Sequence, residues 1–312
     1  MASYIIDCDP GHDDAVALLF AAKFLPIYGI TTVFGNTSIT NTTRNTIALV
    51  DAAGLKIPVA KGAAKPLKGS IIKAEHVHGK SGLDGANLPD GKSQPRKEDA
   101  TNFLIEAASN LQDLVLIAMG PLTNIAMAIK KAPNIMSRIR EISIMGGSTS
   151  FGNVTATAEF NIFADPEAAQ IVFNSGIPMR MAGLNVTSTF GITAPQVTML
   201  CENTNFLPHN IGLSLNHYFT QQSKIYNRPY APLHDICAVI PHTHSELIQY
   251  QRMYVDVECE GIFTRGQTVC DQRDIVTATS QASEKKANCD VALSSKGDTI
   301  VELALHSLLT YQ

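Results

Sequence analysis

The chain has 312 residues, 45% hydrophobic and 17% charged, with a formal net charge of −4 and a pI near 6.1. That composition is soluble and globular with ample material for a core, and the lack of a basic stripe argues against nucleic-acid binding. Cys8, Cys201, Cys237, Cys259, Cys270 and Cys289 are scattered without a Cys-x-x-Cys pair, which disfavours zinc and a thioredoxin-like motif and predicts free thiols in a reducing compartment.

The N-terminal Met-Ala-Ser-Tyr enters a strand at once. No charged n-region precedes an apolar h-region and no run of 18 apolar residues occurs, which predicts neither signal peptide nor membrane span and makes the cytoplasm the expected location. After the apolar Tyr4-Ile5-Ile6 comes the acidic segment Asp-Cys-Asp-Pro-Gly-His-Asp-Asp, with four carboxylates (Asp7, Asp9, Asp13, Asp14) in eight residues. The helix-forming run 15–22 follows, so the order reads strand, acidic turn, helix. Four like charges so close repel one another unless something positive sits among them, and Asp oxygens suit Ca²⁺ or Mg²⁺. A solvated turn capping the helix accounts for one or two of them. It leaves unexplained why Asp7 and Asp9 stand at the end of an apolar strand, where open α/β sheets bind ligands.

Further along, 27–34 reads as a β-branched strand ending at Gly35-Asn36, 41–53 as a helix and 57–60 as a short strand. Residues 61–97 are rich in Gly, Lys, His and Pro and read as a long loop, a length that usually signals function. A helix at 100–110, a strand at 114–119, a helix at 122–131 and a strand at 142–145 ending in Gly146-Gly147 continue the alternation. A helix at 165–174 with Pro166 in its first turn and a strand at 178–183 follow. The βαβα order predicts an α/β fold: an open, mostly parallel, Rossmann-like sheet with helices on both faces and an active site at the C-terminal edge of the strands. The second half is less regular: helices at 205–226, from 234 to 240 and at 299–309, and strands at 253–257 and 275–278. No internal repeat, low-complexity tract or linker interrupts the chain, so 1–312 reads as a single domain.

The ends of four strands carry polar residues or glycine: Asp7-Cys8-Asp9, Gly35-Asn36, Met119-Gly120 and Met145-Gly146-Gly147. In a parallel sheet they share one edge. In Ala158-Glu159-Phe160-Asn161 a carboxylate and an amide two residues apart suit the adjacent hydroxyls of a sugar; an ordinary loop with a cap at Asp165 explains them equally well. Leu233-His234-Asp235 precedes an apolar helix, where Asp235 is either a cap or, beside His234, half of an acid/base or metal pair. His76 and His78 sit in the long loop; His209, His217, His242, His244 and His306 have no motif around them and read as structural or surface.

Together these residues resemble the nucleoside hydrolases, the inosine–uridine type N-ribohydrolases, nearly end to end. The resemblance rests on DCDPGHDD, TTVFGN, VHGKSGLDG, MGPLTNIA, IMGG followed by GN, AEFNIFADPEAA and LHD. It implies one Ca²⁺ held by Asp9, Asp14, Asp235 and the backbone carbonyl of Thr123, completed by two ribose hydroxyls and a water; so many oxygens suit Ca²⁺ better than Mg²⁺. It implies hydrolysis of the N-glycosidic bond, with Asp9 taking a proton from a metal-activated water and an oxocarbenium-like transition state. Asp13, Asn36, Asn153, Glu159, Phe160, Asn161 and the Met145 carbonyl would hold the substrate, the polar ones gripping the ribose. His234 would be the leaving-group acid, and His78, Tyr226 and Tyr230 would approach the base. The VHGKSGLDG loop resembles the pyrimidine-preferring branch and points to uridine and cytidine; a purine-preferring or non-specific hydrolase is the alternative. A homodimer or homotetramer is the implied assembly. Two positions depart from the family pattern: Ile236 stands where Pro is usual and Asn185 where Asp is usual.

A Mg²⁺-dependent phosphatase of the haloacid dehalogenase type also opens with Asp-x-Asp after a strand. It wants Thr or Val two residues beyond the second Asp, where this chain has Gly11. A nucleoside- or sugar-binding homologue without turnover has no need of Asp9 as a base.

Overall fold

The computed structural model describes residues 2–273 and 286–312. Strand β1 (Ser3–Cys8) sends Tyr4, Ile6 and Cys8 into one apolar layer and Ile5 into the other, the alternation expected of a strand buried on both faces. In α1 (His12–Phe24), His12 through Ala21 are buried, as in a helix surrounded by core rather than lying on the surface. Next come β2 (Ile27–Thr32), α2 (Ile39–Ala52) and β3 (Val59–Lys61). The long loop that follows contains one helical turn, α3 (Glu75–His78). Helix α4 (Ala100–Asn110) starts where Asp99 accepts the Asn102 N–H at 2.8 Å. Strand β4 (Leu114–Ala118), α5 (Thr123–Lys131), α6 (Pro133–Met136), β5 (Glu141–Met145), α7 (Phe160–Ala164), α8 (Pro166–Phe173), β6 (Met179–Ala182) and α9 (Leu184–Thr187) complete the regular half. The rest holds β7 (Gly191–Thr193), α10 (Ala194–Cys201), α11 (Phe206–Tyr226), β8 (Tyr230–Pro232), α12 (Ile236–Val239), β9 (Ile248–Met253), β10 (Val255–Val257), β11 (Thr268–Cys270), β12 (Cys289–Ser295) and α13 (Gly297–Leu309).

Among the described residues, eight strands form one sheet in the order β3-β2-β1-β4-β5-β6-β12-β9. All neighbours are parallel except β12 and β9. Helix α1 packs with α11, α12 and α13, while α5 packs with α4 and α8. Each helical group shares its own apolar cluster with the sheet. This is the expected α/β architecture. The strand order reverses between β1 and β4, and that switch point opens a crevice beyond the C-terminal ends of the strands.

Two expectations change. The strand expected at 253–257 is two: Met253 ends β9 in the central sheet, while β10 pairs antiparallel with β11. A run of residues with strand propensity does not reveal its partner. The helix expected from 234 begins at Ile236, because the His234 N–H and the Asp235 carboxylate turn toward the acidic segment. Strand β12 was not anticipated, since so short an apolar run is ambiguous by pattern alone. The strand expected at 275–278 lies outside the described residues.

Candidate active site

Asp9 follows β1 directly and is fully buried. Its Oδ2 accepts the Asn36 backbone N–H at 2.6 Å, and the Asn36 side-chain amide donates to the Asp9 carbonyl at 3.1 Å. Oδ1 has no hydrogen-bond partner among the described residues. Two glycines leave room for this carboxylate: a Cβ at Gly35 would collide with Oδ2, and one at Gly120 would lie 2.5 Å from Oδ1. These glycines end the segments after β2 and β4, so strands on both sides of β1 shape the pocket around one acid.

Asp14 plays the capping role and more. Its Oδ2 accepts the Gly11 N–H at 2.9 Å and the Asn36 amide at 3.0 Å. Asp13, Asp14 and Asp235 each bring a carboxylate oxygen within 4.8 Å of the others. Asp13 Oδ2 also accepts the His234 backbone N–H at 3.3 Å, joining residues 221 apart in sequence. The His234 Nδ1 lies 2.8 Å from the Thr187 hydroxyl. Burial and the Arg228 charge pull the His234 pKa down to about 4, so the ring is neutral at physiological pH.

The Glu159 carboxylate accepts the N–H groups of Gly147, Asn161 and Ile162 at 2.9, 3.0 and 3.2 Å, capping α7 and binding the glycine turn after β5. The Asn161 amide donates to the carbonyls of Met119 and Met145 at 3.0 and 3.1 Å. Asn153 Oδ1 accepts the Phe160 N–H at 2.9 Å. Thr123 opens α5, and its hydroxyl donates to Asp165 at 2.7 Å. The adjacent Asn124 donates to Asp7 at 2.7 Å and to the Thr32 carbonyl at 2.9 Å. Asp7 is therefore committed to holding the strand ends together.

A cavity of about 310 Å³ opens above these groups, within the range of small-ligand sites. Asp13, Asn36, His78, Met145, Asn153, Glu159, Phe160, Asn161, Tyr226, His234 and Asp235 line it. Asp9, Asp14 and Thr123 lie beneath, buried. Tyr230 is not among the lining residues: it sits in β8, and its hydroxyl donates to the Ser188 carbonyl at 3.0 Å. The long loop reaches the cavity through His78, held in place where Asn45 donates to the Ser81 carbonyl at 2.8 Å and Thr37 to the Lys80 carbonyl at 3.1 Å.

Several lining residues carry no sequence signal of their own. Tyr218 and Gln222 come from α11, and Arg228 stands over the Tyr226 ring at 5.1 Å. Of the two departures, Asn185 has a structural reason. Its amide donates to the Ala292 carbonyl at 2.8 Å and its Oδ1 accepts the Thr149 N–H at 3.3 Å; an ionised Asp has no proton for the first bond. Ile236 is fully buried as the first residue of α12.

The acids are costly as they stand. Burial pushes Asp13 up to about 8, Asp7 and Glu159 to about 7 and Asp14 to about 6; Asp9 and Asp235 are driven up by burial and by neighbouring carboxylates. No Lys or Arg pairs with the cluster among the described residues. The orphaned Asp9 Oδ1 and the convergence of Asp13, Asp14 and Asp235 fit a hard divalent cation, whose charge would keep them ionised.

Among families, the one described as inosine-uridine preferring nucleoside hydrolase matches residues 4–302. The chain is 40% identical over 273 residues to the pyrimidine-specific ribonucleoside hydrolase RihA of Salmonella typhimurium, covering 86% of this chain and 88% of that one. It is 35% identical to the enzyme of the same name from Shewanella woodyi, covering 98% of each. Its structure is similar to that of a purine-preferring ribonucleoside hydrolase from Gardnerella vaginalis, with a TM-score of 0.91, 29% identity and 98% of each chain covered.

Proposed function

The chain belongs to the inosine-uridine preferring nucleoside hydrolase family and is a ribonucleoside hydrolase, and we propose that it prefers pyrimidine nucleosides and works with one bound Ca²⁺. The observation that carries the proposal is the buried acidic cluster beneath a cavity of nucleoside size. Asp9, Asp14, Asp235 and the Thr123 carbonyl would hold the cation, with Asp13 beside them. When bound, it supplies positive charge for the ribose diol and acidifies water.

Asp9 takes the proton of the water that attacks the anomeric carbon. The C–O bond forms as the C–N bond breaks, and the base leaves with the bonding electrons and gains a proton. Glu159, Asn161, Asn153, Asn36 and Asp13 orient the ribose. His234 and Tyr226 face the base, and the neutral His234 ring offers a hydrogen bond to the leaving group. The names of the relatives in Salmonella and Shewanella favour pyrimidines. We read residues 1–312 as one such domain, acting in the cytoplasm as a homo-oligomer; among the described residues no helix is long and apolar enough to cross a membrane.

The test is ribose release from uridine, cytidine, inosine, adenosine and 2′-deoxyuridine, with and without a chelator. The expected result is a preference for uridine and cytidine of about tenfold or more, loss on chelation and recovery with Ca²⁺. Purine preference overturns the base assignment. Turnover that survives thorough metal removal overturns the cation.

A further inference from the structure

The acidic turn contains a fully buried side chain that this chemistry does not use, His12. Its ring lies near-parallel to those of His78, Tyr218 and His217, at centroid distances of 5.2, 5.3 and 5.6 Å. Its Nε2 lies 3.0 Å from the Asp84 carbonyl oxygen, and its Nδ1 lies 3.0 Å from Nδ1 of His78. Gly11 permits this approach, since a Cβ there would lie 2.5 Å from His78 Nδ1.

The hydrogen-bond accounting is restrictive. A carbonyl only accepts, so His12 Nε2 carries a proton. In the neutral ring, the form that burial favours, Nδ1 is then a lone pair. The single proton between the two Nδ1 atoms must come from His78, which leaves His78 Nε2 bare. That nitrogen has no protein partner among the described residues, and His78 lines the cavity. The His12 backbone N–H also points at His78 Nδ1, at 3.3 Å, and alone would favour the opposite tautomer. The shorter ring-to-ring contact, set by the Asp84 carbonyl, prevails.

We infer that His12 is a positioning residue that holds His78 as the Nδ1–H tautomer, so that the cavity offers the base a lone pair and favours a base edge bearing an N–H donor. The inference rests on the reading of the cavity as a nucleoside site. Uracil has one such donor, N3–H, so 3-methyluridine isolates the contact.

The experiment is nitrogen NMR of the full-length chain labelled at histidine, with the His78 signals assigned by their loss in H78Q. Wild type should show His78 protonated at Nδ1. In H12F the backbone N–H of residue 12 is left as the partner of His78 Nδ1, and the tautomer should switch to Nε2–H. In H12N, whose amide oxygen takes the Nδ1 position, it should return. In parallel, wild type should favour uridine over 3-methyluridine in kcat/KM by about tenfold, the worth of one neutral hydrogen bond; the ratio should approach unity in H12F and recover in H12N. A wild-type His78 protonated at Nε2, or an unchanged tautomer in H12F, overturns the inference. If H12F does not fold, the wild-type spectrum decides. Absence of any nucleoside hydrolysis overturns the functional reading instead and leaves the tautomer result standing on its own.

Discussion

Asn36 sets two carboxylates at once: its side-chain amide donates to the Asp9 carbonyl at 3.1 Å and to Asp14 Oδ2 at 3.0 Å, while its backbone N–H holds Asp9 Oδ2. Asn36→Ala removes both side-chain bonds, one of them to a buried charged group, and spares the backbone bond. Loss of about 3 kcal/mol in urea unfolding is expected. Turnover should fall with it, because the acids beneath the cavity lose their common anchor. Unchanged stability would show that Asn36 does not organise the cluster.

Asp9→Asn separates catalysis from folding. The kcat should fall by about 10²–10⁴, the range of a lost general base. The metal-free protein should be more stable than wild type near neutral pH, since folding no longer has to protonate a buried acid. Rate measurements with thermal unfolding check both, and undiminished turnover would sink the role assigned to Asp9.

Gly120→Ala should fold but lose activity. The added Cβ would lie 2.5 Å from Asp9 Oδ1 and 2.9 Å from a Val33 methyl, so the carboxylate must turn away. A kcat reduced by about 10²-fold is expected, because misplacement of a reacting group by about 1 Å costs that much. Activity near wild type would mean that Asp9 tolerates displacement.

The pH dependence of stability follows from the raised acids. Asp13 at about 8, Asp7 and Glu159 at about 7 and Asp14 at about 6 stay protonated in the metal-free fold, where the unfolded chain has already ionised them. Below about pH 6.5 the buried His12, His234 and His242, each lowered to about 4, bind fewer protons in the native state and oppose this; from about pH 6.5 to pH 8 the raised acids alone act, the native state binds more protons, and stability must fall as pH rises through that window. Thermal midpoints should be highest near the acid end of this range without metal. With excess Ca²⁺, which favours the ionised forms, the slope should flatten or reverse. A metal-free midpoint that climbs toward pH 8 contradicts the electrostatic account.

Asp165 anchors the long loop to the core. It accepts from the Thr123 hydroxyl at 2.7 Å, the Leu67 N–H at 2.8 Å and the Ala168 N–H at 3.1 Å, the last as the cap of α8. Asp165→Ala should cost about 2–4 kcal/mol through a lost cap and stranded donors. It should also open residues 61–97 to limited proteolysis. A loop as resistant as in wild type would assign its order to other contacts.

Much of this molecule was legible in one dimension. The alternation of apolar strands with helices predicted the parallel sheet, and the bounds of α4 and α11 lie within a residue of the expectation. Strand-end glycines and acids marked the edge on which the cavity lies. The second half read poorly: β9 and β12 carry no continuous apolar run, β10 is short, and the pairing of β12 with β6 joins segments more than a hundred residues apart.

What the sequence determined by itself is what short-range chemistry determines: strand and helix periods, the crowding of Asp7, Asp9, Asp13 and Asp14, and the motifs that mark the family. Only the tertiary structure decided which acids face one another, that Tyr230 turns from the cavity to Ser188, and that His12 meets His78 across 66 positions. Local propensity acts through the nearest few residues. The order of strands in the sheet sets which distant side chains meet, and burial then sets the charge state of each.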